Sequence, residues 1–248
     1  MTTLLAIDTA TDALSLALTR DGELRTCHEV MPRRHQQELF ARLEALCAGA
    51  RPLELGLDAI VYGRGPGSFT GLRIAVSAAQ GLAYSLGIPL IGLSSLATQA
   101  RTLLRCEQWV RPCIVISTID ARIGQVYAAV YRFDGHSLCE LSAPVVAAPG
   151  DLALPDAARD AGPLLGIGSG YRLRRQFSAP LRNVSRAWPE LLPQARDMFE
   201  PARAALARGE GLEAAAARPD YVQRRTGWKT LAEQGRAAQG RDGRGRAA

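Results

Sequence analysis

Residues Gly63 to Arg73 read GRGPGSFTGLR, with four glycines, a proline and two hydroxyl side chains. The apolar run LDAIVYG leads into this stretch and the helix-like run RIAVSAAQGLAYSLG leaves it. Such a chain must turn sharply from a buried strand into a helix, with backbone amides clustered at the turn. Helix N-termini of that kind are ready anion sites, because their N–H groups and the helix dipole both favour negative charge. Spacing excludes two of the usual templates. A P-loop needs G-x-x-x-x-G-K-[ST], whose lysine reaches the terminal phosphates, and this loop has no lysine. A dinucleotide fingerprint needs G-x-G-x-x-G, and Ser68 or Thr70 falls where the third glycine belongs.

Two readings of the loop remain. In one, Ser68 or Thr70 caps the helix and Arg73 in its first turn helps hold an anion. In the other, Gly65 and Gly67 supply positive φ, Pro66 fixes the bend, and the loop only packs. The helix that follows repeats small residues every four positions, at Gly71, Ala75, Ala79 and Ala83, which lets another element approach its backbone closely. That element is either the chain's own sheet or a partner. A neighbouring helix, HQQELFARLEALCAG, carries Leu39, Phe40, Leu43, Leu46 and Cys47 at helical spacing. Side by side, two such helices could offer the roughly 800 Å² per partner that a specific interface requires.

Around these helices the pattern is α/β. LLAID is a buried run and ALSLALTR alternates as a half-buried strand does. Asp21-Gly22 is a two-residue hairpin signal, and ELRTCHEV follows as a third strand. The first hundred residues therefore predict β-β-β-α-β-α-β-α, an antiparallel hairpin pair feeding a parallel sheet. A second lobe starts near Arg111 with PCIVISTID and QVYAAVYRF, and strand signal continues over 137–147. Helical material is predicted for 150–159, a short strand at LLGIG, and helix again for 191–208. The expected division is a first lobe over 1–108 completed by 209–232, a reduced second lobe over 109–208, and a disordered tail over 233–248.

Composition narrows the chemistry. The net charge of +6 invites a nucleic-acid reading, but Lys229 is the only lysine, a skew that points to coding bias, and part of the excess sits in the Gly/Arg-rich tail. His28, His35 and His136 form no H-x-x-H or H-x-x-x-H pair, and the five cysteines contain no C-x-x-C, so no metal site is expected. No G-x-S-x-G elbow occurs, and neighbouring Cys27 and His28 on one strand point to opposite faces. Asp8 follows an apolar strand and reads either as a phosphate- or metal-facing acid or as a turn cap. Reduced thiols, no signal peptide and no apolar run of membrane length predict a cytoplasmic protein.

The segments LAIDTATDALSLAL, RHQQELFARLEAL, GRGPGSFTGLRI, STIDARIGQVYAAVY and PDYVQRRTGWKTL, in that order, resemble the bacterial TsaB family, and GPGSFTGLR is the most specific of them. The resemblance implies an actin-like ATPase fold (sugar kinase, heat-shock protein and actin) with two lobes, the second reduced. It implies a non-catalytic role in forming N6-threonylcarbamoyladenosine in tRNAs that read codons beginning with A. The implied partners are the catalytic TsaD subunit as heterodimer, the ATPase TsaE on that pair, a second copy when TsaD is absent, and tRNA through the complex. On that resemblance the two helices form the pairing surface, with His35, Leu39, Leu43, Leu46, Leu72, Ile74, Ala75 and Ala78 as candidate contacts. Asp8, Thr9, Gly65, Gly67, Ser68 and Arg73 are candidate anion or nucleotide contacts, with ATP or ADP expected only at a complex interface. Asp8-Thr9 resembles the first phosphate hairpin of the superfamily without its usual glycine, residues 120–124 are a weaker second hairpin, and GIGSG at 166–170 resembles an adenosine loop. Three further readings are a nucleotide-binding enzyme of the same superfamily, using Asp8, Ser68 and Arg73, a protease, and direct tRNA binding through the arginines.

Overall fold

The computed structural model describes residues 2–222. The first sheet holds β1 (Leu4–Asp8), β2 (Ala13–Arg20), β3 (Glu23–Val30), β4 (Ala59–Gly65) and β5 (Leu90–Ser94), in the order β3-β2-β1-β4-β5. β1 pairs antiparallel with β2 and parallel with β4, so a meander feeds a parallel half as the sequence predicts. Asp21 and Gly22 both take positive φ, 52° and 84°, which gives the hairpin the twist its strands need and fixes Arg20 opposite Glu23. Helices α1 (His35–Leu46) and α2 (Phe69–Leu86) connect the strands.

Both faces of this sheet are covered, which is why β1 reads as an unbroken apolar run rather than an alternation. Leu5, Ile7, Leu16, Ile60 and Tyr62 face α1 and α2. Leu4, Ala6, Ala17, Ala59 and Val61 face the other way, against Ala195, Met198, Phe199 and Ala202. Those last residues belong to a 3-10 turn (Ala195–Met198) and a helix near the end of the described chain (Phe199–Ala207). Residues 195–207 thus pack on the first sheet, whereas the expected boundaries put them in the second lobe. A helical apolar stripe shows that a face will be buried but not against which sheet. The part of the first lobe expected beyond residue 222, and the tail over 233–248, lie outside the described residues.

The second sheet holds β6 (Cys113–Arg122), β7 (Gln125–Phe133), β8 (Leu138–Ala147), β9 (Leu164–Ile167) and β10 (Arg186–Trp188), in the order β10-β9-β6-β7-β8. Helix α3 (Ser95–Cys106) lays Leu96, Ala100 and Leu103 against Val115, Ile119 and Tyr131 of this sheet. It is also tied to the first-sheet side. The Thr102 hydroxyl donates to Asp197 at 2.8 Å, and the Arg105 Nε does so at 2.6 Å. Among the described residues, the opposite face of the second sheet meets only short elements, chiefly a 3-10 stretch (Ser169–Gln176) and the one-turn helix α4 (Ala179–Arg182), through Tyr171, Phe177 and Leu181. Helix expected over 150–159 is reduced to 3-10 turns at Pro149–Asp151 and Asp156–Ala158. Pro149, Pro155 and Pro163 interrupt any longer run.

The helix at Phe199–Ala207 is α5. Two mixed sheets flanked by helices, the second thinly covered, form the two-lobed actin-like architecture. Among the described residues no helix is long and apolar enough to cross a membrane, and the five cysteines are all unbonded.

Candidate functional site

The glycine loop is closed by its own chain. Ser68 caps α2, its hydroxyl accepting from the Gly71 N–H at 3.3 Å. The Ser68 N–H donates to the Ala10 carbonyl at 2.7 Å, and the Thr9 hydroxyl donates to the Gly71 carbonyl at 2.7 Å. Helix α2 therefore starts in direct contact with the turn between β1 and β2. The glycines permit this approach. A Cβ at Gly71 would stand 1.9 Å from the Thr9 carbonyl oxygen, and one at Gly67 would stand 2.3 Å from that of Ala10. Gly65 does take positive φ, at 108°, but Gly67 does not, so its role is closeness and not backbone sign. Arg73, expected at an anion, lies with its guanidinium 3.8 Å from the Phe69 ring centroid and donates to the Tyr221 hydroxyl at 3.1 Å.

Asp8 is buried, and both its carboxylate oxygens are engaged. One accepts the Ala10 N–H at 2.9 Å, the other the Ser95 hydroxyl at 2.8 Å. This is the turn-cap geometry. Burial pushes its pKa up to about 6, against the lowering effect of those two hydrogen bonds. The second hairpin uses the same device. The Arg122 N–H donates to the Asp120 carboxylate at 2.8 Å, and the Asp120 N–H donates to the Ser169 hydroxyl at 2.9 Å. The GIGSG run also packs inward, since a Cβ at Gly168 would lie 1.9 Å from the Thr118 carbonyl. The structure brings Asp8, Thr9, Gly67 and Ser68 together, then, in a junction bonded through Ala10 and Gly71.

The candidate pairing residues are placed differently from the expectation. His35, Leu39, Leu43, Leu46, Leu72, Ala75 and Ala78 are all buried in this chain, and Ile74 is half-buried. The leucines of α1 and the alanine stripe of α2 pack on the first sheet. His35 lies there too, and burial lowers its pKa. The reason is steric, because the alanines of α2 let the helix come close to the strands. Outward, the same helices present Phe40, which the periodicity groups with the buried leucines, and residues that it does not single out. Phe40 of α1 is 60% exposed and Tyr84 of α2 is 83% exposed. On α2 with Tyr84 lie Ser77, Gly81 and Ser85, all exposed and four apart, and a Cβ at Gly81 would meet nothing within 4 Å. That second small-residue stripe was visible in the sequence. What hid it was the longer stripe of Gly71, Ala75, Ala79 and Ala83 on the same helix.

Known proteins share this architecture. Residues 28–165 match the family model described as TsaD: tRNA N6-adenosine threonylcarbamoyltransferase. The tRNA threonylcarbamoyladenosine biosynthesis protein TsaB of Escherichia coli (strain K12) is 33% identical, over 92% of this chain and 97% of the relative. The TsaB protein of Haemophilus influenzae is 31% identical, with the same coverages. Among solved structures, YeaZ from Pseudomonas aeruginosa superimposes with a TM-score of 0.80 at 37% identity, over 89% of this chain and 100% of that one. A second Pseudomonas aeruginosa structure, described as an uncharacterized protein with similarity to peptidase YeaZ, gives the same score and identity. Among the described residues no group of three His, Cys, Asp or Glu side chains could hold a metal ion. Full-length similarity to two TsaB proteins and shared architecture with YeaZ agree with the interlocked glycine junction read from the residues: this chain belongs to the TsaB family of tRNA threonylcarbamoyladenosine biosynthesis proteins.

Proposed function

We propose that this chain is the non-catalytic subunit that pairs with TsaD to transfer threonylcarbamoyl to N6 of the adenosine 3′ of the anticodon, in tRNAs reading codons that begin with A. The observation that carries this reading is the outward face of α1 and α2. Tyr84 stands exposed there with the open stripe of Ser77, Gly81 and Ser85 on α2, and Phe40 stands exposed on α1. Exposed aromatics flanking small residues form a surface on which a second helix pair can seat closely. In the absence of TsaD the same face joins two copies of this chain. TsaE binds the assembled pair, in the cytoplasm, and any ATP or ADP sits at an interface of that assembly.

The hairpins support a subunit that does not turn over nucleotide by itself. Phosphoryl transfer is positioning plus charge stabilisation, so it needs free donors and cations at the phosphates. Here the amides of Ala10 and Arg122 are already given to the carboxylates of Asp8 and Asp120. Calorimetry with ATP and ADP on this chain tests the point, and micromolar binding with turnover would restore the enzyme reading.

The pairing reading is tested at Gly81. Arginine there enters open space and adds helix propensity of roughly 1 kcal/mol, so the fold is retained. Gly81→Arg and Tyr84→Asp are expected to weaken co-purification with TsaD at least about tenfold, the loss of one packed interface centre. Stimulation of tRNA modification in a reconstituted reaction should fall in step. Folded variants that pair as tightly as the wild type would remove this face from the interface.

A further inference from the structure

The second lobe carries a surface that the pairing face does not explain. No acidic residue occurs between Asp160 and Glu190, and within that span lie Arg172, Arg174, Arg175, Arg182 and Arg186, all exposed. They sit on the 3-10 stretch Ser169–Gln176, on α4 and on β10, all on or beside the second sheet. Arg172 is paired to Glu190, and Arg186 lies 3.3 Å from Glu107. The other three have no carboxylate partner among the described residues. Arg174 is held instead by backbone, its Nε donating to the Arg182 carbonyl at 2.7 Å and its Nη2 to the Val184 carbonyl at 3.2 Å. Carbonyl acceptors fix the guanidinium and leave its charge uncompensated.

We propose that this arginine surface holds the phosphate backbone of the tRNA, an inference that rests on the reading of the chain as part of a tRNA-modifying complex. Two features separate RNA from an acidic protein as the occupant. The span contributes no large exposed apolar side chain, and a specific protein interface needs such an anchor at its centre. Unpaired guanidiniums along one segment suit a polyanion bound through its backbone, where contacts position without reading sequence. The patch stands on the second sheet while Phe40 and Tyr84 stand on helices of the first, so a transferase on α1 and α2 leaves these arginines for the RNA.

The experiment uses the full chain assembled with TsaD and a labelled transcript of a tRNA that reads a codon beginning with A. Affinity is measured over a series of salt concentrations, and pairing with TsaD is measured separately by size exclusion. The variants are Arg175→Glu with Arg182→Glu, the milder pair Arg175→Gln with Arg182→Gln, and Arg25→Glu on the far edge of the first sheet as control. Loss of two phosphate contacts is expected to weaken binding about tenfold near 100 mM salt and to lower the slope of log K against log salt by about 1.4. KM for tRNA should rise with kcat retained, and pairing and the control should match the wild type. Wild-type affinity and slope in both double variants, with pairing intact, would overturn the assignment and leave the proposed function standing. Loss of pairing with unchanged tRNA affinity would also overturn it, by making the patch a protein-docking surface. Failure of the functional reading looks different: the wild-type chain itself neither pairs with TsaD nor stimulates modification.

Discussion

Alanine at Gly71 is expected to destabilise the protein by about 2–4 kcal/mol, although alanine is the better helix former. Two effects oppose each other. Helix propensity favours alanine by about 1 kcal/mol. Against it, the new Cβ would lie 1.9 Å from the Thr9 carbonyl oxygen, a backbone atom that cannot swing aside. Overpacking of this kind costs roughly 1–3 kcal/mol even where side chains yield. Pushing α2 away also breaks the Thr9–Gly71 hydrogen bond and displaces the Ser68 cap, each a further ~1 kcal/mol. The same helix supplies the control. Gly81→Ala meets nothing within 4 Å and is expected to stabilise by about 1 kcal/mol. Urea unfolding of both variants decides the matter. If Gly71→Ala stabilises as Gly81→Ala does, the junction is looser than described and the loop is free to bind a ligand.

Asparagine at Asp8 is expected to stabilise the protein at neutral pH and to flatten its pH dependence. Asp8 has a pKa of about 6 in the fold, against 3.8 for an ordinary aspartate, because burial disfavours its charge. Between those values the folded chain holds a proton that the unfolded chain has released. Its contribution is therefore fully favourable below about 4 and is lost as pH rises through 6. The raised pKa corresponds to roughly 3 kcal/mol lost at the alkaline end. Asparagine can accept from the Ala10 N–H and donate to the Ser95 hydroxyl, and it never ionises. The stability difference between Asp8→Asn and wild type should grow by about 2 kcal/mol between pH 4.5 and 7.5, measured by denaturant unfolding at each pH. Parallel curves would mean that Asp8 has water or a cation at hand when folded. That would reopen its reading as a phosphate- or metal-facing acid.

Both predictions concern one junction, where β1, its turn and the start of α2 interlock. Family members that bind nucleotide at this place would need the amides that Asp8 and Ala10 here take for themselves. The junction is rigid for the same reason that it is closed, and it fixes the direction of α2. The exposed stripe of Ser77, Gly81 and Ser85 is aimed by the contact at Gly71. A Gly71 variant that folds should therefore also weaken the proposed pairing with TsaD without touching the proposed pairing face.

Local chemistry in the sequence determined a great deal. Alternation and turn residues placed β1, β2 and β3 and their hairpin, because a period of two and an Asp-Gly turn each have few structural solutions. Serine at the head of α2 marked its cap, and the missing lysine excluded the P-loop spacing. The motif GPGSFTGLR also pointed to the family. Tertiary structure alone decided which side of each helix looks outward. On α1 and α2 the apolar residues exceed what one face can hold, so periodicity could not say whether Leu39 or Phe40, Ala79 or Gly81, meets the sheet. The sheet settled it by taking the side that fits closest, and left Phe40 and Tyr84 to water. Residues 195–207 show the same limit, since an amphipathic stripe carries no address and α5 went to the first sheet, whose second face was still bare. The purpose of the glycines was likewise invisible in one dimension. Gly67 and Gly71 are needed because of Ala10 and Thr9, residues far away in the chain that only folding brings so close that an added Cβ would stand 1.9–2.3 Å from their carbonyl oxygens.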